Sequence, residues 1–97
     1  MALEIYWTQE AIDSFNKIID YLETNWTERE VNGFMDTFKR KLSLLEKDNV
    51  LFKNSIKRGY REILITKHNW LIYRVRNNKL ELILLWDTRQ NPKKKRI

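Results

Sequence analysis

Ninety-seven residues make one domain around one core, and a composition 42% hydrophobic and 33% charged, with two glycines and one proline, describes a globular chain. The absence of cysteine excludes a disulfide scaffold, a thiolate zinc site and a cysteine nucleophile. The net charge of +6 is unevenly spread: residues 1–56 hold 7 basic and 10 acidic side chains, residues 57–97 hold 12 and 3. The second half is therefore cationic and suited to polyanions or acidic protein surfaces.

Along the chain, LEIYW (residues 3–7) is short and rich in strand formers, and Thr8 is placed to end it and cap a helix. Ile12, Phe15, Ile18, Ile19, Leu22 and Trp26 then recur at helical spacing, with Asp13, Asn16, Lys17, Asp20 and Glu23 on the other face. Thr27 followed by Glu30 is a capping box that opens a second helix, whose apolar stripe is Val31, Phe34, Met35, Phe38, Leu42 and Leu45. Two amphipathic helices joined without a spacer make a helical hairpin, and both stripes must be buried for the helices to persist. Residues 47–57 read as an irregular connection, with a short extended piece around Val50 to Lys53.

The period then changes from helical to two. YREILIT, NWLIYRV and KLELILLW read as three strands separated by the dipeptides KH and NN. A two-residue turn at Asn77 and Asn78 sets Val75 opposite Leu80, Tyr73 opposite Leu82 and Leu71 opposite Leu84. A like turn at Lys67 and His68 adds Leu64 to that face, which the helices should cover. The other face then carries Arg61, Ile63 and Ile65, then Trp70, Ile72, Arg74 and Arg76, then Glu81, Ile83, Leu85 and Asp87. Arg61, Arg74 and Glu81 would form one row across three strands. The expected fold is α+β, β-α-α-β-β-β, with a helical hairpin on one face of a mostly antiparallel four-stranded sheet. Helices on one side leave the second face bare, and Ile63, Ile65, Trp70, Ile72, Ile83 and Leu85 would form an apolar patch that calls for a protein partner.

The inventory of reactive groups is short. His68 is the one histidine and falls in a turn, no spacing suggests a metal site, and two glycines cannot build a phosphate-binding loop. Neither a metal nor a cofactor is expected. No stretch is apolar for the ~20 residues a membrane span needs. The start, MALEIYWTQEAID, has acids where a secretion signal has a basic head, so a cytoplasmic protein is expected. What remains is arginine on strands beside aromatics: guanidinium forks suit phosphate or carboxylate, and Trp70 and Trp86 offer stacking faces.

The segments YREI, NWLIYRV and RQNP, in that order behind a strand and a helical hairpin, resemble the RelE/ParE toxins of bacterial toxin–antitoxin modules, and the ParE branch most closely. The resemblance runs from the first strand through Pro92, so residues 1–92 are expected to form the toxin-like domain and residues 93–97 a basic tail. It implies a growth-inhibiting protein of the plasmid-stabilisation kind, neutralised by a cognate antitoxin. The ParE branch is associated with DNA gyrase, and the RelE branch with cleavage of messenger RNA on the ribosome. On a ParE-like reading Arg61, Arg74, Arg89 and Gln90 recognise the target, with Trp70 as an anchor. The antitoxin would cover Ile63, Ile65, Trp70, Ile72, Ile83 and Leu85. On a RelE-like reading Arg61 and Arg89 would be the catalytic cations. However, Ile63 and Trp70 stand where such nucleases place Lys and Arg, and Asp87 where a histidine is common. The ribonuclease set is thus depleted, and recognition without catalysis is the expectation; a degenerate toxin acting only as a binding module is a further alternative.

Overall fold

The computed structural model describes residues 3–47 and 59–88. The expected connection at 47–57, with its extended piece at Val50 to Lys53, lies almost wholly outside the described residues, as do Arg89, Gln90 and the basic tail. The elements are β1 (Glu4–Trp7), α1 (Gln9–Asn25), α2 (Glu28–Glu46), β2 (Arg61–Thr66), β3 (Asn69–Arg76) and β4 (Lys79–Asp87). The sheet order is β1-β4-β3-β2, with β1 parallel to β4 and the other pairs antiparallel. This is the β-α-α-β-β-β arrangement expected from the sequence, with the helical hairpin on one face of a mixed sheet. Among the described residues, no helix is long and apolar enough to cross a membrane.

Each helix starts where its cap residue stands. The Thr8 hydroxyl oxygen accepts from the Ala11 N–H at 3.1 Å while the same hydroxyl donates to Leu82 O at 2.8 Å, so the α1 cap is also a tie to β4. At α2, the Thr27 N–H and hydroxyl both donate to the Glu30 carboxylate. Phe34, Phe38, Leu42 and Leu45 of α2 are buried, and Val31 and Met35 pack against them, as the stripe required. On α1, Ile18 and Leu22 are buried with Ala11, whereas Ile12 and Trp26 are exposed, which corrects both ends of the expected stripe. The cause is close approach to β4: the Ser14 hydroxyl oxygen accepts from the Leu85 N–H at 3.0 Å, leaving room for Ala11 and turning Ile12 outward. Trp7, Phe15, Phe34 and Phe38 join β1 to both helices with ring centroids 5.2–6.0 Å apart. Such pairs contribute about 0.5–1.5 kcal/mol each beyond their burial.

The sheet departs from the expected register at two places. Asn77 and Asn78 adopt φ of 53° and 61°, the left-handed pair of a type I′ hairpin turn, and Val75–Leu80 and Tyr73–Leu82 pair as expected. Beyond them Ile83 is an extra residue, so Ile72 faces Leu84 and Leu71 faces Leu85, not Leu84. On β2, Thr66 pairs with Asn69 but Leu64 with Trp70 and Ile63 with Leu71, which leaves Ile65 as the extra residue. A one-residue shift exchanges faces. Ile63, Ile65 and Leu85 consequently lie in the core, each 3% exposed, and Ile72, also expected to be bare, is fully buried. Leu64, expected under the helices, is 38% exposed on the other side. The apolar patch read from strict alternation is therefore not a bare surface. Burying two isoleucines in place of one leucine favours the bulged pairing by roughly one large side chain, about 1.5–3 kcal/mol.

Candidate target-binding surface

The shift on β2 also divides the arginines. Arg61 stands opposite Tyr73, a core residue, which assigns it to the helix-covered face at the β2 edge. Arg74 stands opposite Glu81, and Glu81 opposite Tyr6, on the other face. The expected Arg61–Arg74–Glu81 row is replaced by Arg74–Glu81–Tyr6. Arg61 instead acts on the buried Tyr73 phenol. Burial pushes that hydroxyl above its ordinary pKa, and the guanidinium charge opposes the shift. The Tyr73 hydroxyl oxygen is buried without a hydrogen-bond partner.

Around the Arg74 row lies a groove of about 380 Å³ lined by Tyr6, Thr8, Arg74, Arg76, Lys79, Glu81 and Ile83. Arg74 is its most extensively bonded cation. Its Nε donates to Glu81 Oε1 at 3.0 Å, its Nη1 donates to the Tyr60 hydroxyl at 3.3 Å, and its guanidinium carbon lies 4.7 Å from the Tyr60 ring centroid. Arg76 Nε shares the same carboxylate at 3.4 Å, and Lys79 Nζ sits 5.9 Å from the Tyr6 ring. Among the lining residues three cations meet one carboxylate, so Glu81 cannot neutralise the groove. Exposed pairs of this kind add about 0–1 kcal/mol each to stability. Their effect is to hold the arginines in place: a guanidinium already fixed by Tyr60 and Glu81 meets an anion or an acidic side chain with less entropy to lose.

Trp70 shares this face, four residues from Arg74 on β3 and about 13 Å away at strand rise, and is half-buried. Ile83, the bulge residue, is half-buried at the groove itself. His68 lies in the β2–β3 turn, at the far end of β3 from the groove, about 20 Å along the strand from Arg74. Asp87 is buried opposite Asn69 at that same far end. Tyr6, Tyr60 and Lys79 went unnoticed in the sequence. Tyr6 reaches the groove through parallel pairing with a strand 75 residues on, and no local spacing announces that contact.

The family model for the ParE toxin of the type II toxin–antitoxin system parDE matches residues 5–92. No curated protein sequence matches the chain. Among solved structures, a chromosomal ParDE toxin–antitoxin system from P. aeruginosa is similar at 12% identity and TM-score 0.73, covering 89% of this chain and 96% of that one. A copper-bound mutant toxin from Helicobacter pylori aligns at 18% identity and TM-score 0.67, covering 92% and 98%. The DinJ–YafQ toxin–antitoxin complex from E. coli aligns at 13% and 0.65, covering 94% and 98%. At these identities the structures show a shared fold, while the family model spans nearly the whole chain. The chain belongs to the ParE toxin family of type II toxin–antitoxin systems.

Proposed function

We propose that this toxin arrests growth by binding DNA gyrase, or gyrase on DNA, in the cytoplasm, and that a cognate antitoxin silences it. The observation that carries the reading is the chemistry of the Arg74 groove: guanidinium, ammonium and phenol groups converge there, and the chain's one imidazole lies at the opposite end of β3. Cleavage of RNA requires proton transfer as well as cations, whereas recognition requires cations alone. Arg74 is the central recognition group, supported by Arg76, Lys79 and Tyr6, with Trp70 as an apolar anchor on the same face. Arg89 and Gln90 complete the recognition set, and Arg61 contributes from the β2 edge. The antitoxin covers Trp70 and Ile83 together with exposed Leu64 and Tyr6, an acidic segment complementing the groove.

The test is induction of the chain alone in cells, recording DNA and protein synthesis in parallel. DNA synthesis should stop first, and Arg74→Ala should relieve the arrest at equal protein level. A primary block in translation with codon-linked cuts in messenger RNA would reject the gyrase reading in favour of ribonuclease action.

A further inference from the structure

A second concavity lies at the other end of β3, between the helices and the β2–β3 turn. It encloses about 370 Å³ and is lined on one side by Leu22, Gly33 and Phe34 and on the other by Thr66, Lys67, His68 and Asn69, with Glu30 and Thr37 at its rim. Leu22 and Phe34 are core residues, so its inner wall is apolar. Gly33 is a helix-interior glycine whose φ is not positive, so backbone conformation does not require it. A Cβ placed there meets no heavy atom within 4 Å. What glycine secures at this position is empty space.

The opposite wall presents a donor with nothing to bind. Asn69 is 1% exposed, and its Nδ2 is buried without a hydrogen-bond partner. The oxygen end of the same amide is engaged. The Thr66 hydroxyl oxygen accepts from the His68 N–H at 3.4 Å and the hydroxyl donates to Asn69 Oδ1 at 2.5 Å, which leaves the amide NH₂ as the free end. A buried donor of this kind is unfavourable unless an acceptor reaches it. Lys67 brings a positive charge to the same wall. The one acid of the lining, Glu30, has its carboxylate engaged by the Thr27 N–H and hydroxyl, and the hydroxyl bond holds its pKa below the ordinary value.

We propose that this cleft binds a carboxylate carried on a compact apolar body of leucine or phenylalanine size. The acid end meets Asn69 Nδ2 and the Lys67 ammonium, and the hydrocarbon end fills the space beside Leu22, Gly33 and Phe34. A free acylated amino acid and the C-terminal residue of a protein chain share this chemistry.

The experiment titrates the full chain with N-acetyl-L-leucine, N-acetyl-L-leucinamide and a leucine-ended tetrapeptide, read by calorimetry and by amide chemical shifts. N-acetyl-L-leucine should saturate with a millimolar Kd, the amide should bind about tenfold more weakly, and the shifts should centre on Gly33 and Asn69. A tetrapeptide that binds more tightly than the single residue identifies a chain end as the natural source; one that binds no better identifies the free acid. Asn69→Asp buries a charge and endangers the fold, so Gly33→Met is the deciding variant: it fills the open space and should abolish binding with the circular dichroism unchanged. Equal affinity for acid and amide, unaltered binding by Gly33→Met, absence of saturation, or shifts scattered over surface lysines would each overturn the assignment.

Discussion

The helical hairpin and the sheet beneath it obey equally simple patterning rules, yet the rules succeed in one and miscarry in the other. In the hairpin most determining contacts are local, and only the ends of the α1 stripe answer to β4. Thr27 and Glu30 are three residues apart, and the α2 stripe repeats at helical spacing, so the buried face follows from neighbours in sequence. In the sheet a two-residue turn sets the register only as far as the first unpaired residue. Past Ile83 on β4, and past Ile65 on β2, each strand presents the opposite set of side chains. An error of one residue in a helix rotates a stripe by about 100°, leaving much of it buried, while in a strand it exchanges inside for outside.

The sharpest way to break that contrast is to exchange neighbours on β2. Ile63→Ala should cost about 2–5 kcal/mol, whereas Leu64→Ala should cost less than about 1 kcal/mol, both read by urea unfolding. The reverse order would restore the unbulged pairing. Thr8→Ala comes next, at about 1–2 kcal/mol. It removes the α1 cap and, with it, bonds from the same hydroxyl to the carbonyls of Leu82 and of Ile83, the bulge residue of β4. A Thr8→Ser variant, which keeps the hydroxyl, should recover most of the loss.

The two turns of the sheet offer a finer comparison. Asn78→Ala removes the short polar side chain that lets a residue with a Cβ hold φ 61° and should cost about 1 kcal/mol, and Asn78→Gly should not. Lys67→Ala, at a turn without positive φ, should stay within about 0.5 kcal/mol. The smallest effect belongs to the helical hairpin. The Thr27 hydroxyl bond lowers the Glu30 pKa in the folded state, so its stabilisation is complete above the ordinary value of 4.5 and is lost as pH falls through the lowered one. Melting temperatures followed from pH 7 to pH 3 should fall slightly less for Glu30→Gln than for the parent chain.

The surface shows the same division between local and distant. That Arg74 would meet Glu81 was legible, because both lie within the part of the β3–β4 hairpin whose register the Asn77–Asn78 turn controls, and the observed Nε to Oε1 bond is 3.0 Å. That Arg61 would leave this row was not, since one extra residue between Leu64 and Thr66 reassigns it to Tyr73. Nor could the contributions of Tyr6 and Tyr60 be read. One depends on parallel pairing of β1 with β4, the other on a contact across the sheet to Arg74. The second cleft was invisible for the same reason: Gly33 and Asn69 have no sequence relation, and only the packing of α2 against the β2–β3 turn makes them two walls of one space.

The amino-acid sequence by itself determined the order of elements, the caps, the α2 stripe and the cationic bias of the second half, because each arises from residues within one or two turns of one another. Tertiary structure decided which strand face is covered, which arginines share a surface and where the chain leaves room for a ligand. Those outcomes depend on bulges chosen to bury the most apolar area against the helices. That balance is struck between segments far apart in the chain and has no local signature.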